Sequence, residues 1–299
     1  MNLLDFTPPT AGELAALEQL VQHQLADPEK PQLKLLGYGE VTLAFAYPTD
    51  APRWACKRMP PSKDAAALRA YVAHIERYIA ELRSHGVAVL PTSCHIVTSY
   101  PGTSVIFLCQ PIVSPDALGP AILRKRTPDA DDPFLIDVLT TVAKVISPRL
   151  AVDSQLSNWA DIGGVLHQID ISTPFTCDAE GTPELDGRMV VGPFPWIVRG
   201  AMRRWVVPPI MQRYHDPRMA MIDFVANLFK ERLEAWAEPA VTVANRLLDA
   251  PISLAEAQSY YAKDAQLWES TWRMKKLSQA TTRLVGGTYQ FLIPPRTDR

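Results

Sequence analysis

Three short strand-like runs, 32–36, 42–47 and 53–59, follow one another with only turn residues between them. Gly37-Tyr38-Gly39 joins the first two, and Pro48-Thr49-Asp50-Ala51-Pro52 joins the second and third. That spacing predicts an antiparallel meander. A helical run from about 64 to 85 comes next, with Gly86 as its natural stop. Two more strand-like runs, 95–99 and 104–109, meet at Pro101-Gly102. Residues 32–109 therefore read β-β-β-α-β-β. Ahead of them, Thr10-Ala11-Gly12-Glu13 fits a capping box, and Leu14, Leu17, Val21 and Leu25 recur at helical spacing, with Leu20 widening the stripe.

After Gln110-Pro111 the pattern changes. Segments 116–125 and 133–146 read as helices, and Ser147-Pro148 ends the second. A short strand pair, 159–161 and 165–169, folds around Gly163-Gly164. Residues 171–195 carry few structural signals. From 196 to about 291 the pattern is mostly helical, with breaks expected at Pro208-Pro209, Asp216-Pro217 and Pro251. The fold class is α+β.

The chain of 299 residues is 47% hydrophobic and 21% charged, which places it among globular proteins. A formal net charge of -2 gives no global field directed at nucleic acid or a membrane, so neither is expected as a partner. No run approaches the roughly 20 apolar residues of a membrane span. Cys56, Cys94, Cys109 and Cys177 lie far apart without a Cys-x-x-Cys pair, which argues against zinc. Cys56 and Cys109 sit in apolar runs and read as buried hydrophobes. With no apolar leader, the expected compartment is a reducing cytoplasm.

Several residues stand out chemically. Glycines in Gly37-Tyr38-Gly39-Glu40-Val41-Thr42 permit positive φ and close approach of backbone N–H groups to a polyphosphate, although a plain hairpin turn needs the same residues. Lys57 lies in the apolar strand Trp54-Ala55-Cys56-Lys57-Arg58, where alternation sends Lys57 and Arg58 to opposite faces. A buried lysine needs an acid; Glu76 on the long helix is the expected partner and Glu81 the competitor. Asp153 and Asn158 stand five apart in a loop, and Asp170 follows twelve residues later. Taken singly, these three are ordinary turn formers and caps. Taken together, they supply a proton-accepting carboxylate and two oxygen donors suited to Mg²⁺.

In this order and spacing the residues resemble the protein-kinase-like superfamily, which includes aminoglycoside phosphotransferases and choline kinases. The resemblance covers about 32–175 and matches the glycine hairpin to Gly37 and Gly39, the third-strand lysine to Lys57 and the helix glutamate to Glu76. The Asp-x-x-x-x-Asn loop matches Asp153 and Asn158, and the magnesium-binding aspartate matches Asp170. It implies a two-lobed fold: a helical extension over 1–31, a small antiparallel sheet with one long helix over 32–111, and a larger helical lobe over 112–299. It also implies ATP and Mg²⁺, with transfer of the γ-phosphate to a hydroxyl of a small-molecule acceptor. ATP would be held by Gly37, Tyr38, Gly39, Glu40, Thr42, Lys57, Gln110 and Ile112. The chain departs from the family at Thr42, in place of a third glycine, at Ala151-Val152 before Asp153, and at Ile171-Ser172 after Asp170. Those departures fit a divergent phosphotransferase and leave an inactive relative open.

The six histidines show no metal-ligand spacing, and no Gly-x-Ser-x-Gly elbow supports serine hydrolysis. Arg199, Arg203 and Arg204 cluster on one helical run and read as a solvated face, or as a receiver for an anionic substrate if they face a cleft. Trp196 and Trp205 beside them read as core or cleft wall. Asp178, Glu180, Glu184 and Asp186 make an acidic, loop-like segment.

Overall fold

The computed structural model describes residues 6–27, 32–38, 42–100 and 102–293. Helix α1 (Ala11–Ala26) opens on the expected capping box: Thr10 accepts from Glu13 N–H, and the Glu13 carboxylate takes the Thr10 N–H at 2.8 Å. The meander follows as β1 (Lys34–Tyr38), β2 (Leu43–Tyr47) and β3 (Trp54–Arg58). Helix α2 (Ala65–Ser84) is capped by Asp64 and ends where Gly86 takes a left-handed φ of 82°, which a side chain would resist. Two residues form β4 (Ala88–Val89), then β5 (Ser93–Thr98) and β6 (Ser104–Pro111) complete the first part.

These strands make a five-stranded antiparallel sheet in the order β1-β2-β3-β6-β5. Its two faces have different covers. Phe45, Trp54, Cys56, Val105, Phe107 and Cys109 point to α1 and pack against Leu14, Leu17, Val21 and Leu25. Ile106 and Leu108 point the other way, into the main core with Leu68, Tyr71, Ile75 and Tyr78 of α2. Alternation along β3 and β6 is therefore satisfied on both sides. Cys56 and Cys109 are buried opposite each other, as the apolar runs implied.

Short helix α3 (Gly119–Arg124) and α4 (Pro133–Val145) begin the helical part. A 3-10 turn, Leu156–Asn158, leads into β7 (Trp159–Asp161) and β8 (Leu166–Gln168). β4 pairs in parallel with β8, so the chain leaving α2 is stitched to this hairpin in the order β4-β8-β7. β4 has no sequence signature, being two residues long. The stretch that gave few signals contains α5 (Gly187–Val191).

Residues 196–213 are one continuous helical run: α6 (Trp196–Ala201), a π turn (Met202–Val206) and α7 (Val207–Arg213). The expected break at Pro208-Pro209 does not occur. Both prolines fall in the first turn of α7, where the preceding π turn has already interrupted the regular hydrogen-bond ladder that proline would break. α8 (Pro217–Lys230), α9 (Ala237–Leu247) and the long α10 (Leu254–Leu284) follow, with the expected breaks at Asp216-Pro217 and Pro251. No described helix is long and apolar enough to cross a membrane.

Candidate active site

Lys57 extends from the α2-facing side of β3 and pairs with Asp170 Oδ1 at 2.7 Å. Arg58 extends to the other side, toward α1, as alternation requires. The expected Lys57–Glu76 pair does not form. On α2 the buried stripe is Leu68, Tyr71, Ile75, Tyr78 and Leu82, and Glu76 falls on the exposed side, close enough to Cys94 of β5 to help raise its thiol. Glu81 makes no ion pair with Lys57 either. Sequence separation placed an acid on the right helix but could not fix the rotation of that helix about its axis.

Helix α2 instead positions the site through hydroxyls. Tyr78 donates to the carbonyl of Ala151 at 2.8 Å, and Tyr71 donates to the carbonyl of Ser172 at 2.8 Å. Those carbonyls lie two residues from Asp153 and Asp170, so one helix face fixes the backbone of both acidic segments. His74, between the two tyrosines, meets the Thr176 hydroxyl at 2.7 Å and extends the clamp. The Asp153 loop is also held from the far side, where the Ser154 hydroxyl donates to Ala220 O of α8 at 3.0 Å. The chain just before Asp170 is tied to the end of that loop, where Ile169 N–H bonds to Asn158 O at 2.9 Å.

Asp170 is unevenly loaded. Its Oδ1 takes Lys57, the Ser172 N–H at 2.9 Å and the Ser172 hydroxyl at 2.7 Å. Among the described residues its Oδ2 takes no hydrogen bond, which leaves one hard oxygen uncommitted, while the Asn158 side chain hydrogen-bonds Asp153. Burial pushes this carboxyl up, but Lys57 and the Ser172 hydrogen bonds outweigh it and hold it below the usual carboxylate range. Asp153 is shifted the other way, to about 6, by burial first and the charge of Asp170 second; the Gln155 N–H, Lys230 and Asn158 offset part of that rise.

The remaining expected ligands are distributed unevenly. Gly37 sits inside β1 at a bulge, paired with Ala44, and does not take a left-handed φ. Its backbone therefore does not use the freedom that made glycine attractive there. Tyr38 ends β1, and Gly39 and Glu40 lie outside the described residues. Thr42 is buried. Gln110 shares the sheet face of Lys57 and donates to Thr92 Oγ1 at 3.0 Å. The Ile112 N–H bonds to Arg53 O at 3.2 Å, so its carbonyl and side chain are what remain for a ligand.

Two residues that sequence reasoning passed over belong to this neighbourhood. Asp223 of α8 is raised to about 7, by burial first and the Asp153 charge second, while a Tyr260 hydrogen bond and Lys230 offset the rise. Lys230, at the end of α8, reaches Gln155 Oε1 at 3.3 Å. Burial thus raises both Asp153 and Asp223, and the Asp153 charge adds to the rise at Asp223. The signal for Asp223 was present: an acid inside the apolar run Ala220-Met221-Ile222-Asp223-Phe224-Val225. No group of three or more His, Cys, Asp or Glu among the described residues is arranged as a metal site.

The model of a protein family described as "Family of unknown function (DUF6206)" matches residues 16–279. The chain belongs to the DUF6206 family. That match spans α1, the sheet and most of α10, so every candidate residue above lies within the DUF6206 region. No curated protein matches this DUF6206 chain. Among solved structures, a chain titled "WaaP in complex with acyl carrier protein" is 11% identical over 88% of this chain and 96% of that one. Its TM-score of 0.37 is too low to assign fold or function to DUF6206.

Proposed function

We propose that the protein is a Mg-ATP-dependent phosphotransferase with a kinase-like two-lobed fold, the lobes being 32–111 and 112–299, moving the γ-phosphate to a hydroxyl of a small-molecule acceptor. The observation that carries this reading is the Lys57–Asp170 ion pair next to the Asp153–Asn158 loop, with the segments bearing Asp153 and Asp170 both braced by one face of α2. A cation, a carboxylate with a spare oxygen, an amide and a second carboxylate of different proton affinity are the parts that phosphoryl transfer needs.

In this scheme Lys57 exchanges part of its contact with Asp170 for the α- and β-phosphates. Asn158 and Asp170 would hold Mg²⁺, which would supply neutralisation of the phosphate charge. Two protein donors suffice, because Mg²⁺ takes its other ligands from phosphate and water. Asp153, ionised above pH of about 6, orients the acceptor hydroxyl and accepts its proton as the new O–P bond forms and the bond to ADP breaks. Lys230 offers positive charge beside that loop.

A second reading, a nucleotide-sensing module without transfer, draws support from two observations: Gly37 takes no left-handed φ, and Glu76 does not hold Lys57. Incubation with ATP, Mg²⁺ and a panel of alcohols separates the two. Under the transfer reading, ADP release depends on an acceptor, and Asp153→Asn abolishes it while retaining nucleotide binding. Acceptor-independent silence in the wild type, with nucleotide still bound, selects the sensing module.

A further inference from the structure

The ridge formed by α6 and the π turn is unusual for a protein surface. Trp196 is 80% exposed, Ile197 73% and Trp205 68%, although the sequence suggested core or cleft wall for both tryptophans. Single exposed apolar residues are ordinary; this many on one short run are not. The π turn explains how they come together. It adds a residue to one helical turn, which carries Trp205 round to the side occupied by Ile197 and Ala201. Val198 and Met202 pack inward instead, against the main core.

Charge is segregated in the same place. Segments 187–215 and 270–293 contain nine basic residues and no acidic one, in a chain whose net charge is -2. The two segments meet in space across a cavity of about 540 Å³, to which the first contributes Arg199 and Arg203 and the second Ser278 and Thr282. Arg188 and the one acid on the wall, Asp186, neutralise each other, with Asp64 also reaching Arg188, so the charge left over in the cavity is that of Arg199 and Arg203. Arg199 donates Nε to Phe194 O at 2.8 Å, and among the described residues neither it nor Arg203 has an acidic partner. Beyond the cavity, the end of α10 exposes Leu284 at 87% and Val285 at 84%.

From these observations we infer that this face docks on an anionic lipid bilayer surface. Tryptophans, with an apolar body and a polar N–H, suit the headgroup boundary, and arginines flanking them add attraction to anionic headgroups. The cavity with Arg199, Arg203, Ser278 and Thr282 is shaped to receive one phosphate-bearing headgroup. Charge complementarity selects this occupant over a neutral one. A second copy of the chain would bring the same basic face to itself, and like charges repel. The inference is independent of the phosphotransferase reading, since neither Lys57 nor Asp153 lines this cavity.

The test uses the full chain with vesicles of phosphatidylcholine alone, or with about 30% phosphatidylglycerol, in a sedimentation assay. We expect binding to the anionic vesicles only, weakened in about 0.5 M salt. Trp196→Ser with Trp205→Ser, and separately Arg203→Glu with Arg204→Glu, should each lower the bound fraction at least about tenfold with melting temperature unchanged. Absence of binding to anionic vesicles overturns the inference, as does binding that neither double variant weakens. A dimer seen by light scattering that the tryptophan variant dissolves assigns the face to self-association and overturns it too. So does stabilisation by millimolar inorganic phosphate without any vesicle binding.

Discussion

Adjacent residues of one strand make the two most informative ion pairs in the molecule, and they are built differently. Arg58 and Glu18 are 1% and 3% exposed and fully engaged: two nitrogens of Arg58 reach Glu18 at 2.8 and 2.9 Å. Gln290, Gln22 and Ser99 take up the remaining valences, tying α1, β3 and the C-terminal segment together. Lys57 and Asp170 are 21% and 31% exposed, and Asp170 keeps an oxygen in reserve. A sealed, satisfied pair fixes structure. An open pair with spare capacity can exchange partners, which a nucleotide and metal site requires.

That contrast breaks most readily on the sealed side. Arg58→Met leaves the Glu18 carboxylate buried and unpaired, and is expected to cost about 3–5 kcal/mol in chemical denaturation. A cost near zero would mean that α1 and the C-terminal segment are not locked through this network. Next comes Gly119, the first residue of α3, where an added Cβ would stand 2.5 Å from Leu156 O. Gly119→Ala should cost about 1–3 kcal/mol and displace the loop that carries Asp153 and Asn158. An unchanged stability would show that this loop yields freely.

A third expectation concerns pH. The folded value of Asp153 is raised to about 6, so the folded state holds its proton more tightly than the unfolded chain does. Its contribution is favourable at low pH and is lost as pH rises through about 6. Asp153→Asn should therefore stabilise the protein at pH 8 by on the order of 1–2 kcal/mol and make little difference at pH 4. The opposite sign would mean that Asp153 is engaged as a structural anion. The smallest effects belong to the open pair. Lys57→Met should change stability by less than about 1 kcal/mol while removing nucleotide binding. Glu76→Ala should fall within about 0.5 kcal/mol and leave nucleotide binding intact. Loss of binding in the Glu76 variant would restore it as the partner of Lys57.

Much of this arrangement could be read from the chain. The capping box at Thr10, the meander, α2 from its Asp64 cap to Gly86, and the short β7–β8 pair follow from local chemistry that tertiary packing did not override. The opposed faces of Lys57 and Arg58 followed from strand alternation alone. What escaped was set by rotation and by long-range pairing. The face of α2 that turns inward is a property of packing, so Glu76 was favoured where Tyr71 and Tyr78 do the positioning. β4 exists because β8 is there to receive it. The π turn has no sequence signature, yet it carries the run past Pro208-Pro209 and brings Trp205 round to Ile197. A net charge near zero concealed two long segments without an acid.

The most direct test of the central claim is thermal unfolding with and without ATP and Mg²⁺, for wild type and Asp170→Ala. Ligand at about 100 times its Kd adds roughly 2.7 kcal/mol, a shift of several degrees for a protein of this size. The account predicts that wild type shifts only with both ATP and Mg²⁺ present, and that Asp170→Ala does not shift. Equal shifts in both proteins, or none in wild type with any nucleotide, would contradict it.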